Sequence, residues 1–306
     1  MKNQKIPQTD MTVSQICLGT MTFGTPVPEA EAIRIVHWAM DHGINFIDTA
    51  NIYEGYRRYL GSPGGVAEAI LGKALEGRRE RAVLATKVGN PVGPGPEDRG
   101  LGRSHIFREC DRSLARLKTD QVDIYYMHRT DPDTPVAESI RAFVDLIHAG
   151  KVRHWGISNF DAHDTREVLE TCDDNGWARP VVHQPPYSLL KRDIESDLLP
   201  LCRREEVAVV PYQVLQGGLL TGKYRGSPSP PAGSRGAEKP EWLPMLHDPE
   251  LQRQIEELDA KAEAQGLTLF DYVIRTTANT PGMTSILLGV KNTKQMADAI
   301  RALESG

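Results

Sequence analysis

The chain has no run of apolar residues near the ~20 a membrane-spanning helix requires, no long basic stretch and no clustered cysteines. The first absence excludes a helical membrane protein. The start, Met1-Lys2-Asn3-Gln4-Lys5-Ile6-Pro7, lacks the apolar core of a secretory signal. A formal net charge of −5 without a basic run argues against a nucleic-acid surface. The cysteines, Cys17, Cys110, Cys172 and Cys202, are scattered and show neither metal-ligand spacing nor a disulfide framework. No metal is expected, and the thiols read as reduced in a cytoplasmic protein. No Gly-x-Gly-x-x-Gly follows the first strand-like segment, which weakens a Rossmann reading.

What is present is an ordinary globular composition, 40% hydrophobic and 25% charged, sufficient for a sizeable core. Short apolar, strand-like segments at 14–19, 44–48, 82–87, 122–128, 151–158, 181–184, 207–212 and 284–288 alternate with helical spacing. The helical segments are 29–41, 66–76, 103–117, 139–149, 161–171, 193–204, 249–265, 269–279 and 293–303. Gly43 ends the first as a C-cap would, and Asp161 stands as an N-cap. Eight strands in alternation predict a (β/α)8 TIM barrel spanning 1–306 as one domain, with an N-terminal capping segment and long loops on its C-terminal face. An open doubly wound sheet is the alternative. Two stretches, 54–65 and 222–248, read as insertions, the second rich in Pro, Gly and Ser.

In a barrel the reactive face lies at the C-terminal ends of the strands. Asp48, Lys87 and His128 each end a strand-like run, and Tyr53 follows just beyond the first. A buried ammonium needs a partner, and Asp48 is the obvious one. A Tyr beside a Lys can have its phenol pKa lowered, and a nearby His can place a carbonyl or help move a proton.

The motifs that carry these residues resemble those of the aldo-keto reductase family almost end to end. They are Ile16-Cys-Leu-Gly-Thr-Met-Thr-Phe-Gly24, Gly43-Ile-Asn-Phe-Ile-Asp-Thr-Ala-Asn-Ile-Tyr53, Ala85-Thr-Lys-Val-Gly89, Asp123-Ile-Tyr-Tyr-Met-His128, the segment ending Gly156-Ile-Ser-Asn-Phe160, and Gly218-Leu-Leu-Thr-Gly-Lys-Tyr224. The sequence is closer to the bacterial and potassium-channel-β-like branches than to the short aldose-reductase-like branch. The resemblance implies an oxidoreductase that reduces an aldehyde, ketone or sugar-like carbonyl. Tyr53 would be the general acid, with Lys87, Asp48 and His128 completing the catalytic set.

It also implies a nicotinamide dinucleotide. Ser158, Asn159 and Gln184 would meet its carboxamide and Tyr212 would stack on the ring. Taken alone, Ser158-Asn159 reads equally as a helix entry, and Tyr212 as a core aromatic. Gly19, Thr20, Met21 and Asp48 would contact the cofactor from the strand ends, and Gln213, Leu215, Gly217, Leu219 and Lys223 from the turn after the seventh strand. Gly289, Lys291 and Gln295 would hold the adenosine end. Lys291 stands where a cation often meets the ribose 2′-phosphate, which favours NADP(H) over NAD(H). Three departures stand out: Gln213-Val214-Leu215 replaces Ser-Pro-Leu, Ala299 replaces an adenine-contacting Asn, and Ala67 precedes Glu68 where Ser is common. A second reading is a slow-turnover NADP(H)-binding redox sensor. The partner expected is a small carbonyl substrate, and a homo-oligomer is compatible with the sequence.

Overall fold

Strands covered on both faces read as continuous apolar runs, and those of this chain are covered in that way. The computed structural model describes residues 2–226 and 229–304. It opens with a hairpin, β1 (Asn3–Lys5) antiparallel to β2 (Thr12–Ser14). The barrel strands follow: β3 (Ile16–Gly19), β4 (Phe46–Asp48), β5 (Val83–Val88), β6 (Val122–Met127), β7 (Val152–Ser158), β8 (Val182–Gln184), β9 (Ala208–Val209) and β10 (Ile286–Gly289). All pair in parallel in one eight-stranded sheet, in the order β10-β3-β4-β5-β6-β7-β8-β9. The ring closes where Thr284 N–H donates to Val209 O (2.8 Å) and Leu287 N–H to Pro211 O (2.9 Å). The fold is the predicted (β/α)8 barrel.

The helices between strands are α1 (Glu29–Asp41), α2 (Val66–Ala74), α3 (Arg103–Leu117), α4 (Val136–His148), α5 (Ala162–Asn175) and α6 (Leu198–Arg204). After β9 come a short α7 (Arg235–Glu238), then α8 (Pro249–Glu263), α9 (Leu269–Ala278) and, last, α10 (Thr293–Glu304). On α1 the buried residues Ala32, Ile35, Val36 and Ala39 recur at helical spacing, and left-handed Gly43 (φ 86°) follows its end. Asp161 caps α5, accepting from the N–H groups of His163 and Asp164 at 2.8 Å each. That helix runs past the expected Thr171 because the left-handed residue that stops it is Gly176 (φ 63°). The first expected strand is split: Ser14 belongs to the hairpin, and the barrel strand begins at Ile16.

Alternation along the strands sorts the core into two shells. Cys17, Phe46, Ala85, Ile124, Tyr126, Val182 and Ala208 fill the barrel lumen together with Ile6, Met11 and Val13 from the hairpin segment, which plugs one end. Leu18, Ile47, Leu84, Tyr125 and Trp155 point outward under the helices. Burying a side chain such as Phe46 stabilises the fold by roughly 1.5–3 kcal/mol. The same parity sets the chemistry. Asp48 lies two residues beyond Phe46, Lys87 two beyond Ala85, and His128 two beyond Tyr126, so all three face the lumen at its open end. A one-residue slip of any strand would turn its polar residue into the helix layer.

Candidate active site

Lys87 has no solvent exposure, so each of its three N–H donors needs a protein acceptor. It finds three. One proton goes to Asp48 Oδ1, one to Thr49 O (2.8 Å) and one to the Tyr53 hydroxyl oxygen (3.3 Å). The second Asp48 oxygen accepts from Gln184 Nε2 at 2.9 Å. Because Lys87 only donates, the Tyr53 oxygen is its acceptor, and the phenolic proton is directed elsewhere, toward the cavity. The His128 ring lies edge-on to Tyr53, with centroids 6.0 Å apart and planes at 81°. Its Nδ1 is buried with no hydrogen-bond partner among the described residues.

Burial works against charge on Lys87, but the Asp48 carboxylate and the Tyr53 phenol outweigh it and hold its pKa above the ordinary value. Burial dominates at Tyr53. It raises the phenol pKa, and the downward pull of Lys87 does not overcome it. The expected net depression by the lysine is therefore corrected: Tyr53 is a firmly protonated phenol at neutral pH. His128 is pushed well below its usual range by burial and then by the Lys87 cation, so its ring is neutral.

Two buried carboxylates brace this corner from behind. Glu68 on α2 accepts from Thr86 Oγ1 (2.6 Å), next to Lys87, and from Arg116 (2.6 Å). Glu109 on α3 accepts from Asn51 Nδ2 (3.0 Å) and Arg112 (2.8 Å). The loop that carries Tyr53 is thus fixed from the helix layer as well as from the lumen.

A cavity of about 790 Å³ runs from Tyr53 and His128 across the strand ends to Lys291 and Ala299. Its lining includes Gly19, Thr20, Met21, Asp48, Ser158, Asn159, Gln184 and Tyr212 on one side, and Gln213, Leu215, Gly217, Lys223, Gly289, Lys291 and Gln295 toward the other. One residue expected at the cofactor, Leu219, does not line this cavity. Leu219 is 2% exposed and packs in the core, because the positive φ of Gly217 (66°) and Gly218 (98°) turns the chain there. Lys87 lies behind Tyr53 and does not line the cavity.

Several polar groups on the wall are already committed to one another. Asn159, in the left-handed region (φ 62°) that Asn tolerates better than most residues, donates to His128 O (2.8 Å) and accepts from the Tyr212 hydroxyl (2.7 Å). Ser158 Oγ donates to Gln184 O (2.8 Å), and Gln295 Oε1 accepts from Lys291 N–H (2.8 Å). Lys291 itself pairs with Glu238 and donates to Gly233 O (2.7 Å).

The two insertions meet over this cavity. Tyr56 from the first stacks edge-on against Trp242 from the second, centroids 5.1 Å apart, and Arg235 approaches the Tyr56 hydroxyl at 3.4 Å. Arg58 turns inward to the carbonyls of Ile52 (3.0 Å) and Pro91 (3.2 Å), while Tyr59 is 66% exposed and stands away from the site. Arg235 and Gln216 were not foreseen as lining residues. Arg235 sits in an aperiodic stretch, and its only local signal is Ser234, the N-cap of α7.

The donor set suits an elongated anion. Among the described residues, neither Lys223 nor Arg235 is ion-paired to a carboxylate. Burial, with the neighbouring Lys291 and Arg235 cations, lowers the Lys223 pKa. Lys223 and Arg235, grouped with Lys291 and with no carboxylate ion pair of their own among the described residues, match a pyrophosphate. The aromatic wall at Tyr212 and the unpartnered His128 Nδ1 lie toward the opposite end. The residues present therefore fit a dinucleotide.

The chain belongs to the aldo/keto reductase family, whose sequence model matches residues 15–305. It is 37% identical over 304 residues to an uncharacterized oxidoreductase, YrpG, of Bacillus subtilis (strain 168), covering 97% of this chain and 89% of the relative. It is 32% identical over 311 residues to a probable voltage-gated potassium channel subunit beta of Arabidopsis thaliana, covering 99% and 92%. A putative subunit of the same kind from Schizosaccharomyces pombe (strain 972 / ATCC 24843) is 32% identical over 296 residues, covering 94% and 83%. Membership makes the chain an oxidoreductase of a family that acts on small molecules with nicotinamide dinucleotides. No helix among the described residues is long and apolar enough to cross a membrane.

Proposed function

We propose that this protein is an NADP(H)-dependent carbonyl reductase, with Tyr53 as the general acid. The observation that carries the reading is the saturation of Lys87: its third N–H holds the Tyr53 oxygen and leaves the phenolic proton facing the cavity. The dinucleotide, when bound, supplies the hydride. Tyr53 donates its proton to the carbonyl oxygen as negative charge develops there. Lys87 stabilises the resulting phenolate, and Asp48 with Gln184 keeps the ammonium in place. Neutral His128 orients the carbonyl oxygen through a ring nitrogen. Lys223 and Arg235 receive the pyrophosphate, and Lys291 lies at the adenosine end, which supports NADP(H) over NAD(H). The substrate class is an aldehyde, ketone or sugar-like carbonyl.

Tyr53→Phe tests the assignment. Turnover of NADPH with an activated aldehyde such as a nitrobenzaldehyde should fall by roughly 10²–10⁴-fold, the usual scale of general acid catalysis, while the NADPH dissociation constant stays within about twofold. Wild-type turnover in the variant would remove Tyr53 from the mechanism. The similarity to proteins named as potassium channel β subunits supports a second reading, a tightly cofactor-bound subunit with slow turnover. Stoichiometric cofactor in the purified protein, with negligible turnover across a carbonyl panel, would favour it.

A further inference from the structure

The cation that would receive a ribose 2′-phosphate already has an anion. Lys291 lies just past the end of β10, and its ammonium is engaged by the Glu238 carboxylate and by Gly233 O (2.7 Å). Both partners come from the second insertion. Glu238 is the last residue of α7, a turn started by Ser234, whose Oγ accepts from Ala237 N–H at 3.3 Å. The Lys291 side chain also lies over the Tyr56 ring, 5.2 Å from its centroid, so the pair sits where the two insertions join. Neither member is deeply buried: the side chains are 23% and 33% exposed. The Lys291 backbone is anchored separately by Gln295, so its ammonium can change partner without the turn moving.

Resting on the carbonyl-reductase reading, we infer that Glu238 is the residue that sets this protein's NADP(H)-to-NAD(H) preference, by competing with the 2′-phosphate for Lys291. A dianionic phosphate at this position must share the ammonium with Glu238 or displace it, and in either case it lies beside that carboxylate. A 2′-hydroxyl makes no such demand, since it can donate to Glu238 with the ion pair intact. The carboxylate thus penalises NADP(H) selectively. It also ties the second insertion to the end of β10.

The test is a set of NADPH and NADH dissociation constants, read by nucleotide fluorescence, for wild type, Glu238→Gln, Lys291→Gln and the double variant. Glu238→Gln should tighten NADPH by about tenfold, the scale of one charge-assisted hydrogen bond, and leave NADH within about twofold. In the Lys291→Gln background the same change should have less effect on NADPH, because the contested cation is gone. An equal shift for both nucleotides would show that Glu238 only fastens the loop, and an unchanged NADPH constant would show no competition. Either result overturns the inference and leaves the reductase reading standing. Failure of the wild-type protein to bind either dinucleotide would instead remove the reductase reading, and this inference with it.

Discussion

Lys87→Met isolates the buried ion pair. The substitution keeps the length of the stem and removes the ammonium, leaving Asp48 1% exposed with Gln184 Nε2 as its remaining side-chain partner. Breaking one side of a buried pair costs ~3–5 kcal/mol. Thr49 O also loses its bond from Lys87, so the middle of that range is a fair expectation. Unfolding entropy near 60 °C is about 2.1 cal/mol/K per residue, or ~0.64 kcal/mol/K for 306 residues, so ~4 kcal/mol corresponds to about 6 °C in Tm. The loss should depend on pH. Burial already raises the folded-state pKa of Asp48 despite the opposing pull of Lys87, and without the lysine it rises further above its unfolded value of ~3.9. The folded chain then binds more protons than the unfolded one above that value, and stability falls as pH rises. The gap from wild type should be full at neutral pH and narrow toward pH ~4. Adding Asp48→Asn should restore part of the neutral-pH loss by removing the stranded charge. Thermal and urea unfolding of the three proteins between those pH values would check this. A neutral-pH difference under about 1 kcal/mol, or a gap that widens as pH falls, would refute a buried, charged pair.

Two further outcomes follow from geometry on the same face. In the proposed mechanism reduction needs a protonated Tyr53, whose pKa is raised by burial, and a neutral His128, whose pKa is held well below the usual range. The kcat/KM for reduction should therefore stay flat through pH ~6–9 and fall only above the ordinary phenol value of ~10; an inflection near pH 6.5 in a pH-rate profile would show that His128 titrates normally. Gly55→Ala places a Cβ 1.9 Å from Thr25 O at a φ of 72°, so segment 54–65 should undock from Trp242 and become sensitive to limited proteolysis. A wild-type cleavage pattern would contradict that packing.

Much of this architecture was readable in the sequence because barrel strands are short, apolar and punctuated. Asp48, Lys87 and His128 could be placed at one mouth from strand ends alone, and Gly43 and Asp161 marked helix boundaries by backbone chemistry. Other features depend on contacts remote in the chain. Glu238 and Lys291 meet through an aperiodic insertion, so no spacing pattern announces them. Leu219 lies in an apolar run whose facing is decided by two glycines with positive φ. The acidity of Tyr53 depends on whether burial or the lysine dominates, and only packing settles that balance.

The braces behind the reactive corner bear on assembly as well as on geometry. Glu68 and Glu109 have no exposed side-chain surface, and their partners come from β5, from α3 and from the loop after β4. A barrel with α2 or α3 docked one turn out of place would part Glu68 on α2 from Arg116 on α3, or Glu109 on α3 from Asn51 in the loop after β4, at a cost of several kcal/mol for a stranded acid. The pair therefore penalises misassembled packings while the chain folds. The arrangement that satisfies both acids is also the one that holds the Tyr53 loop in position.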